Sequence, residues 1–249
     1  MRITCVAVVD RSGAFGGQEA VLKAIVSAVG QQVERHFSPA WGKVPVPVLL
    51  VPDGSPVPLG AGLVYIVDRI VDVPGALGWH HESKEGLYCG FVAATPILLL
   101  GGSLRDGPDS VSSAVSHEVL EMLGNPGVSY WADARDGREF SMEVCDPVSG
   151  DSYDVDSDGM LVSVSNFVHP AWFDSYAPSG SWFDQMQLLC APFVHRPTGY
   201  AVIRDLGEES EQFGHAVSAL KRDQKRSLGR CARVRCVVRD TMAYPFDQA

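Results

Sequence analysis

The stretch SHEVLEMLG at residues 116–124 decides the fold and the chemistry that this sequence predicts. Asp109 or Ser110 can cap a helix that runs through this stretch to Leu123. The residues that follow, Gly-Asn-Pro at 124–126, end a helix in the expected way because glycine tolerates the left-handed conformation and proline cannot continue the helix. The stretch is therefore predicted to lie in one helix of about four turns that begins near residue 110.

The polar and apolar residues of this helix separate onto different faces. His117 and Glu121 are four positions apart, so they lie on one face about one turn from each other. Glu118 lies about 100° around the helix from His117, where it could act as a general base. A further face is apolar and is expected to pack on a sheet, and it carries Val115, Val119 and Met122.

An imidazole and a carboxylate presented together are typical of a site for a first-row metal ion. Glu143 and Asp146 follow downstream at a plausible distance for a third ligand. Asp146 could instead orient His117 from behind. The alternative is that His117, Glu118 and Glu121 form an ordinary charged face in contact with solvent.

The first hundred residues predict a mixed sheet with a packing helix. Residues 2–9 indicate a buried strand, and residues 18–37 a helix with an apolar face. Two prolines interrupt the strand predicted at 44–51, which favours an edge position. Residues 63–67 and 96–100 are further strand candidates. The predicted fold class is α/β (or α+β), with the site helix packed on the sheet.

The second half of the chain is rich in loops, which build sites on a scaffold formed by the first half. We predict one α/β domain over residues 1–206 and a basic extension over 207–249. Residues 154–159 resemble the first half of a calcium-binding loop, but an Asp-Gly hairpin turn is the stronger prediction there. His80, in a predicted loop, and Tyr153 are candidate cleft residues, although a surface position is the simpler expectation for such a histidine.

Charge and composition exclude several classes of protein. The 249 residues carry a net charge of −10, which argues against a surface that binds nucleic acid throughout. Residues 221–239 contain eight basic residues and one acidic residue, so this segment could dock on an acidic partner. The six cysteines form no CxxC pair, and neither a signal peptide nor a membrane span is evident. These features favour a cytoplasmic protein that does not bind a membrane.

The site helix resembles that of the zincin metallopeptidases, in which His-Glu-x-x-His supplies two ligands and a third follows downstream. Here Glu121 stands at the second histidine position, giving an HExxE motif. The glutamate-ligand branch is the closer one, which implies that Glu143 binds the metal and Asp146 orients His117. A second resemblance covers most of residues 30–205 and is to uncharacterised proteins of phages and bacteria.

The strings that carry this second resemblance are HFSPAWG at 36–42, GALGWH at 75–80, residues 116–126, EVCDP at 143–147 and VSNFVHPAWF at 164–173. It implies a phage or prophage setting and a pairing in space of the site helix with residues 143–147. Two functions follow from the two resemblances. One is a metal-dependent peptidase or amide hydrolase that uses Zn²⁺, or Mn²⁺ or Ca²⁺, and Glu118 as base. The other is a virion or assembly protein that retains the metal for stability and contacts phage structural proteins through residues 221–239. A metal-free globular protein with an acidic groove is a third alternative.

Overall fold

The computed structural model describes residues 2–71 and 76–216, and a five-stranded mixed sheet lies at its centre. The strand order is β2-β1-β3-β5-β4; β1 pairs in parallel with β2 and β3, β3 pairs in parallel with β5, and β4 pairs antiparallel with β5. The α/β class with a mixed sheet is thus confirmed. The five strands are β1 (Cys5–Asp10), β2 (Val48–Leu50), β3 (Ala61–Val67), β4 (Gly78–Glu82) and β5 (Tyr88–Ala93).

The first predicted helix is also confirmed. Helix α1 (Glu19–Gln32) continues through a π-helical turn (Val33–Phe37) into the short α2 (Ser38–Ala40). The site helix is α4 (Val111–Gly124), and Ser110 caps it by accepting a hydrogen bond from the backbone N–H of Ser113.

One strand prediction was wrong. Residues 96–100 lie mainly in helix α3 (Ala94–Leu99), and the strand of this region is the preceding β5. A short apolar run does not distinguish a strand from a buried helix by periodicity. Pro96 is tolerated in α3 because it lies in the first helical turn, where its missing N–H would have no helical partner.

Helices α1 and α4 form a layer between the sheet and a two-stranded hairpin. The hairpin consists of β8 (Ser152–Ser157) and β9 (Met160–Ser165), and both helices contact it. Its turn residues Asp158 and Gly159 have φ values of 54° and 83°, as a tight Asp-Gly turn requires. The hairpin predicted there is confirmed, and α4 has an apolar neighbour on two sides.

Three glycines in the sheet allow α4 to approach it closely. An added Cβ at Gly62 would lie 2.5 Å from the sulfur of Met122, and one at Gly90 would lie 3.4 Å from the methyl carbon of the same side chain. An added Cβ at Gly78 would overlap the carboxylate of Glu118. The missing side chain at Gly78 therefore leaves room in the sheet for the carboxylate of Glu118 on α4.

A second, four-stranded sheet has the order β11-β10-β7-β6. Strands β10 and β11 pair antiparallel over residues 200–213, so the domain boundary predicted after residue 206 falls in the turn between them. The basic segment at 221–239 lies outside the described residues. Among the described residues, no helix is both long and apolar enough to cross a membrane. The four strands are β6 (Trp131–Asp133), β7 (Glu139–Ser141), β10 (Tyr200–Asp205) and β11 (Glu208–Phe213).

Candidate metal centre

Six ionisable side chains meet where β4, α4 and the chain after β7 come together. Five of the six residues are only 4–6% exposed, and the side chain of His117 is 15% exposed. The last residue of α4, Gly124, packs closely on the chain after β7, because an added Cβ there would lie 2.7 Å from the Val144 side chain. The six residues, here called the buried cluster, are His80, His117, Glu118, Glu121, Glu143 and Asp146.

One half of the buried cluster surrounds His117. Its Nε2 atom lies 3.0 Å from Oε1 of Glu121 and 3.2 Å from Oδ1 of Asp146. The thiol of Cys145 also lies here, and the potential ligand atoms of His117, Glu121 and Cys145 are all within 4.8 Å of one another. The buried Tyr200 is hydrogen-bonded to Asp146, which holds that carboxylate from a third direction.

The other half surrounds His80. Its Nδ1 atom lies 3.5 Å from Oε2 of Glu118 and 3.5 Å from Oε2 of Glu121. Its Nε2 atom lies 3.6 Å from Oε2 of Glu143 and 3.3 Å from the backbone oxygen of Asn125. Glu121 thus directs one carboxylate oxygen to each histidine and joins the two halves.

Glu143 is held in place by one of its two oxygens. Its Oε1 atom accepts hydrogen bonds from the Asn125 side chain at 2.9 Å and from the Ser141 hydroxyl at 3.1 Å. Asn125 also accepts from the backbone N–H groups of Ser129 and Tyr130, so it fixes the loop after α4 and the carboxylate together. The Oε2 atom of Glu143 is left directed at His80.

Two buried oxygens of the cluster accept no hydrogen bond from any residue that the structure describes. They are Oε2 of Glu118 and Oε2 of Glu143. A buried carboxylate oxygen without a partner is costly, and proteins normally place such groups against a donor or a metal ion. Imidazole nitrogens and carboxylate oxygens are suitable donors for zinc and manganese. The residues present therefore fit a divalent cation.

The raised pKa values in the cluster reflect acidic groups that are packed together, and no lysine or arginine of residues 2–71 and 76–216 forms an ion pair with them. Burial by itself would lower the pKa of His80, but the charge of Glu143, the direct contact with the Glu118 carboxylate and the charge of Glu121 raise it to about 10. Burial raises the pKa of Glu143 to about 8; the charge of His80 opposes the change and that of Glu121 adds to it. Both directions show that the folded chain favours extra positive charge at this place.

The pKa of His117 is also raised well above its usual value. Burial opposes the shift, and the charge of Glu121 together with the hydrogen bond to Asp146 outweighs it. The pKa of Glu121 is raised by burial and by the charge of Asp146. Burial raises the pKa of Cys145 well above its usual value as well. The half around His117, like the half around His80, therefore favours extra positive charge.

A buried network of uncharged groups supports α4 from the side away from the sheet. Ser116 donates to Oε1 of Gln32 at 2.6 Å and accepts from the backbone N–H of Ser165 at 3.0 Å. The Gln32 side chain in turn donates to the Ser165 carbonyl at 2.7 Å and to the Tyr153 hydroxyl at 3.1 Å. Tyr153 also contacts Nδ1 of His36 at 2.9 Å. Tyr153, predicted as a cleft residue, takes part in this supporting network.

The structure brings together all four metal ligands that the sequence suggested, but in two groups. Asp146 lies beside His117, whereas the ion-pair contact of Glu143 is with His80. Glu118, the predicted base, contacts His80 as well.

The loop predicted at residues 80–82 was wrong, because this segment is strand β4 and His80 is buried. The signal that could have indicated the strand is alternation: Trp79 and His81 stack with a centroid distance of 4.3 Å, whereas His80 points to the opposite face, toward α4. Cys145 and Tyr200 had no recognisable signal in the sequence.

Comparison of the chain with family models, with curated proteins and with solved structures gives no match. The resemblances to zincin metallopeptidases and to proteins of phages and bacteria therefore stay predictions. The geometry of the buried cluster alone supports the function proposed next.

Proposed function

We propose that this protein binds a divalent metal ion, zinc in the first instance, through His117, Glu121 and Asp146. The observation that carries the proposal is the approach of two buried carboxylate oxygens to one imidazole nitrogen, at 3.0 and 3.2 Å. Ligands at about 2.1 Å from zinc are separated by roughly 3.0 to 3.4 Å in octahedral and tetrahedral arrangements. A single N–H on that nitrogen could make a well-aligned hydrogen bond to only one of the two oxygens.

The proposal takes Asp146 as the third ligand in place of Glu143, because Glu143 faces the other histidine. Nitrogen and carboxylate ligands suit zinc or manganese, whereas calcium prefers a shell made of oxygen alone. Cys145 lies close enough to influence the choice of metal, since a thiolate at the site would favour zinc over manganese.

The test is the metal content of the full-length protein. We expect stoichiometric zinc in the wild type and its loss in the His117→Ala variant. The matched control is His195→Ala, since His195 is partly buried and its ring contacts the carbonyl of the neighbouring Arg196, away from the buried cluster. A wild-type protein that takes up neither zinc nor manganese, or a His117→Ala variant that retains a full complement, would contradict the proposal.

A metal-dependent amide hydrolase is the second candidate function, and the exposure of His117 favours it. The His117 side chain is 15% exposed while the other five residues are closed off, so substrate could approach from this side. When bound, a divalent ion can acidify water and polarise a carbonyl group. His117, Glu121 and Asp146 would hold the ion, and Glu118 was predicted from the sequence to move the proton.

Hydrolysis and a purely structural role make different predictions for Glu118. With Glu118 as the base, the Glu118→Gln variant retains its metal and loses peptide hydrolysis. In a virion or assembly protein, the metal would fasten residues 143–146 to α4, and chelation would lower the stability of the protein without affecting any turnover. Peptide hydrolysis and thermal unfolding, each measured with and without chelator, distinguish the two.

A further inference from the structure

We infer that the buried cluster holds two metal ions, with the carboxylate of Glu121 shared between them. The inference rests on the proposed function for the first ion and adds a second, which lies between His80, Glu118 and Glu121. One potential ligand atom from each of His80, Glu118 and Glu121 lies within 4.8 Å of the other two. Nδ1 of His80 faces the Oε2 atoms of both glutamates, and we assign these three atoms as the ligands. Their chemistry suits zinc or manganese.

Glu121 has the geometry of a bridging ligand. Its Oε1 atom is 3.0 Å from His117, and its Oε2 atom is 3.5 Å from His80. Each oxygen of one carboxylate therefore faces a different histidine, and each histidine faces a further carboxylate. Hydrolases with two metal ions hold them about 3.5–4 Å apart, a separation that one shared carboxylate can span.

The distances around His80 match ligands of a common ion better than they match hydrogen bonds. Nδ1 lies 3.5 Å from both glutamate oxygens, close to the separation of roughly 3.4 Å between two ligands of tetrahedral zinc. Hydrogen bonds from a protonated imidazole to carboxylates are shorter, about 2.7–2.9 Å. At 3.5 Å, a protonated His80 does not supply the hydrogen bond that the buried Oε2 atom of Glu118 needs.

The contacts on the far side of the His80 ring leave Nδ1 free to bind a metal. Nε2 faces the Asn125 carbonyl at 3.3 Å and the Glu143 carboxylate at 3.6 Å, and both groups are acceptors. When a metal ion displaces the proton from Nδ1, these acceptors can hold the remaining proton on Nε2, and the lone pair of Nδ1 then faces the ion. A carboxylate behind a metal-binding histidine commonly fixes its tautomer and orientation. Glu143 is then a positioning residue for His80.

The charge of the fully ionised buried cluster also matches two ions. Four carboxylates carry a charge of −4 when ionised, and the two histidines are neutral when they bind metal. One divalent ion would leave a charge of −2 in a region where five of the six residues are at most 6% exposed. Two divalent ions balance the four carboxylates. The inference assigns Glu118 the role of a metal ligand in place of the base predicted from the sequence.

The experiment measures metal stoichiometry in the full-length protein, after removal of metal and titration with zinc, by native mass spectrometry. Two ions per chain are expected. One ion per chain would overturn the inference and leave the proposed function intact, and no bound ion would overturn both. A titration with Mn²⁺ gives an independent readout, because two adjacent manganese ions produce a magnetically coupled signal in electron paramagnetic resonance and isolated ions do not.

Variants assign each ion to its half of the cluster. Glu118→Gln should retain one ion and lose the coupled manganese signal, and Asp146→Asn should weaken the other ion. The matched control is Glu139→Gln, because the carboxylate of Glu139 contacts Arg204 at the surface. Circular dichroism verifies that each variant is folded. A folded Glu118→Gln variant that retains both ions would show that Glu118 is not a ligand and would overturn the inference.

Discussion

Replacing Gly78 by alanine tests the second metal site without changing any ligand. The added Cβ would lie 3.0 Å from the carboxyl carbon of Glu118 and overlap one of its oxygens, so that carboxylate has to move by several tenths of an ångström. Metal sites tolerate deviations of only about 0.2 Å in ligand distance. We therefore expect the affinity for the second ion to fall at least about 100-fold, which corresponds to about 2.7 kcal/mol.

The assay is thermal unfolding of wild type and Gly78→Ala, each with zinc and with chelator. An ion present at 100 times its dissociation constant adds about 2.7 kcal/mol to the free energy of unfolding. In a chain of this size such a loss lowers the melting temperature by roughly 5–10 °C. The difference between the two proteins should appear in zinc and largely disappear in chelator, because metal binding is what the substitution removes.

Gly30→Ala is the matched control for this experiment. Gly30 lies in α1, and an added Cβ there would make an ordinary contact of 3.8 Å with Val48. Two results would refute the reasoning about Gly78. One is a Gly78→Ala protein that binds two ions as tightly as wild type. The other is a loss of stability that is equal with and without chelator, since that loss would be steric.

Three further predictions concern stability and reactivity. Gly30→Ala should itself raise the free energy of unfolding by about 0.5–1 kcal/mol, measured by denaturant titration, because alanine favours the helix and fits the space; a decrease would contradict this. Alkylation of the native protein at pH 8 should modify the exposed Cys190 before Cys145, because the Cys145 thiol is buried and its pKa is raised. Peptide mass spectrometry measures the order, and modification of Cys145 first would contradict the prediction. The third prediction concerns the protein in chelator. The raised pKa values of His80 (about 10) and Glu143 (about 8) mean that the folded state binds protons more tightly than the unfolded state. The stability that each group provides is therefore complete below its ordinary pKa and is lost as the pH rises through its raised pKa, at about 8 to 10. The chelated protein should therefore unfold at lower urea concentration at pH 9 than at pH 6, and the zinc-bound protein should not, because protons compete with the metal.

Features set by local sequence were predictable. The apolar periodicity and the Ser110 cap located α4, and Asp158-Gly159 located a hairpin, because these signals act over a few residues. The strand that carries His80 was missed because its alternation places a histidine, and not an apolar residue, on the buried face. Its position beneath α4 depends on pairing with β5 and on the space left by Gly78, and both are non-local.

The partition of the acidic residues could not be read from the sequence either. Glu143 and Asp146 are three residues apart, so either could have faced His117. The choice is made by partners from other parts of the chain: Asn125 and Ser141 hold Glu143, and Tyr200 lies against Asp146. Spacing alone carries no information on such partners, which is why the sequence suggested one metal site and the fold presents two halves.

The hydrogen bond between Ser116 and Gln32 has a consequence for the rotation of α4 about its own axis. Apolar side chains repack with little loss when a helix rotates slightly, whereas a buried hydroxyl and amide lose their partners at once. Ser116 therefore fixes the rotation of α4 about its axis, and this rotation sets the direction in which the next residue, His117, points. An apolar pair at these two positions could give a chain of equal or greater stability whose helix no longer has a single rotational setting. Such a protein would be well folded by every global measure and still misalign its histidine.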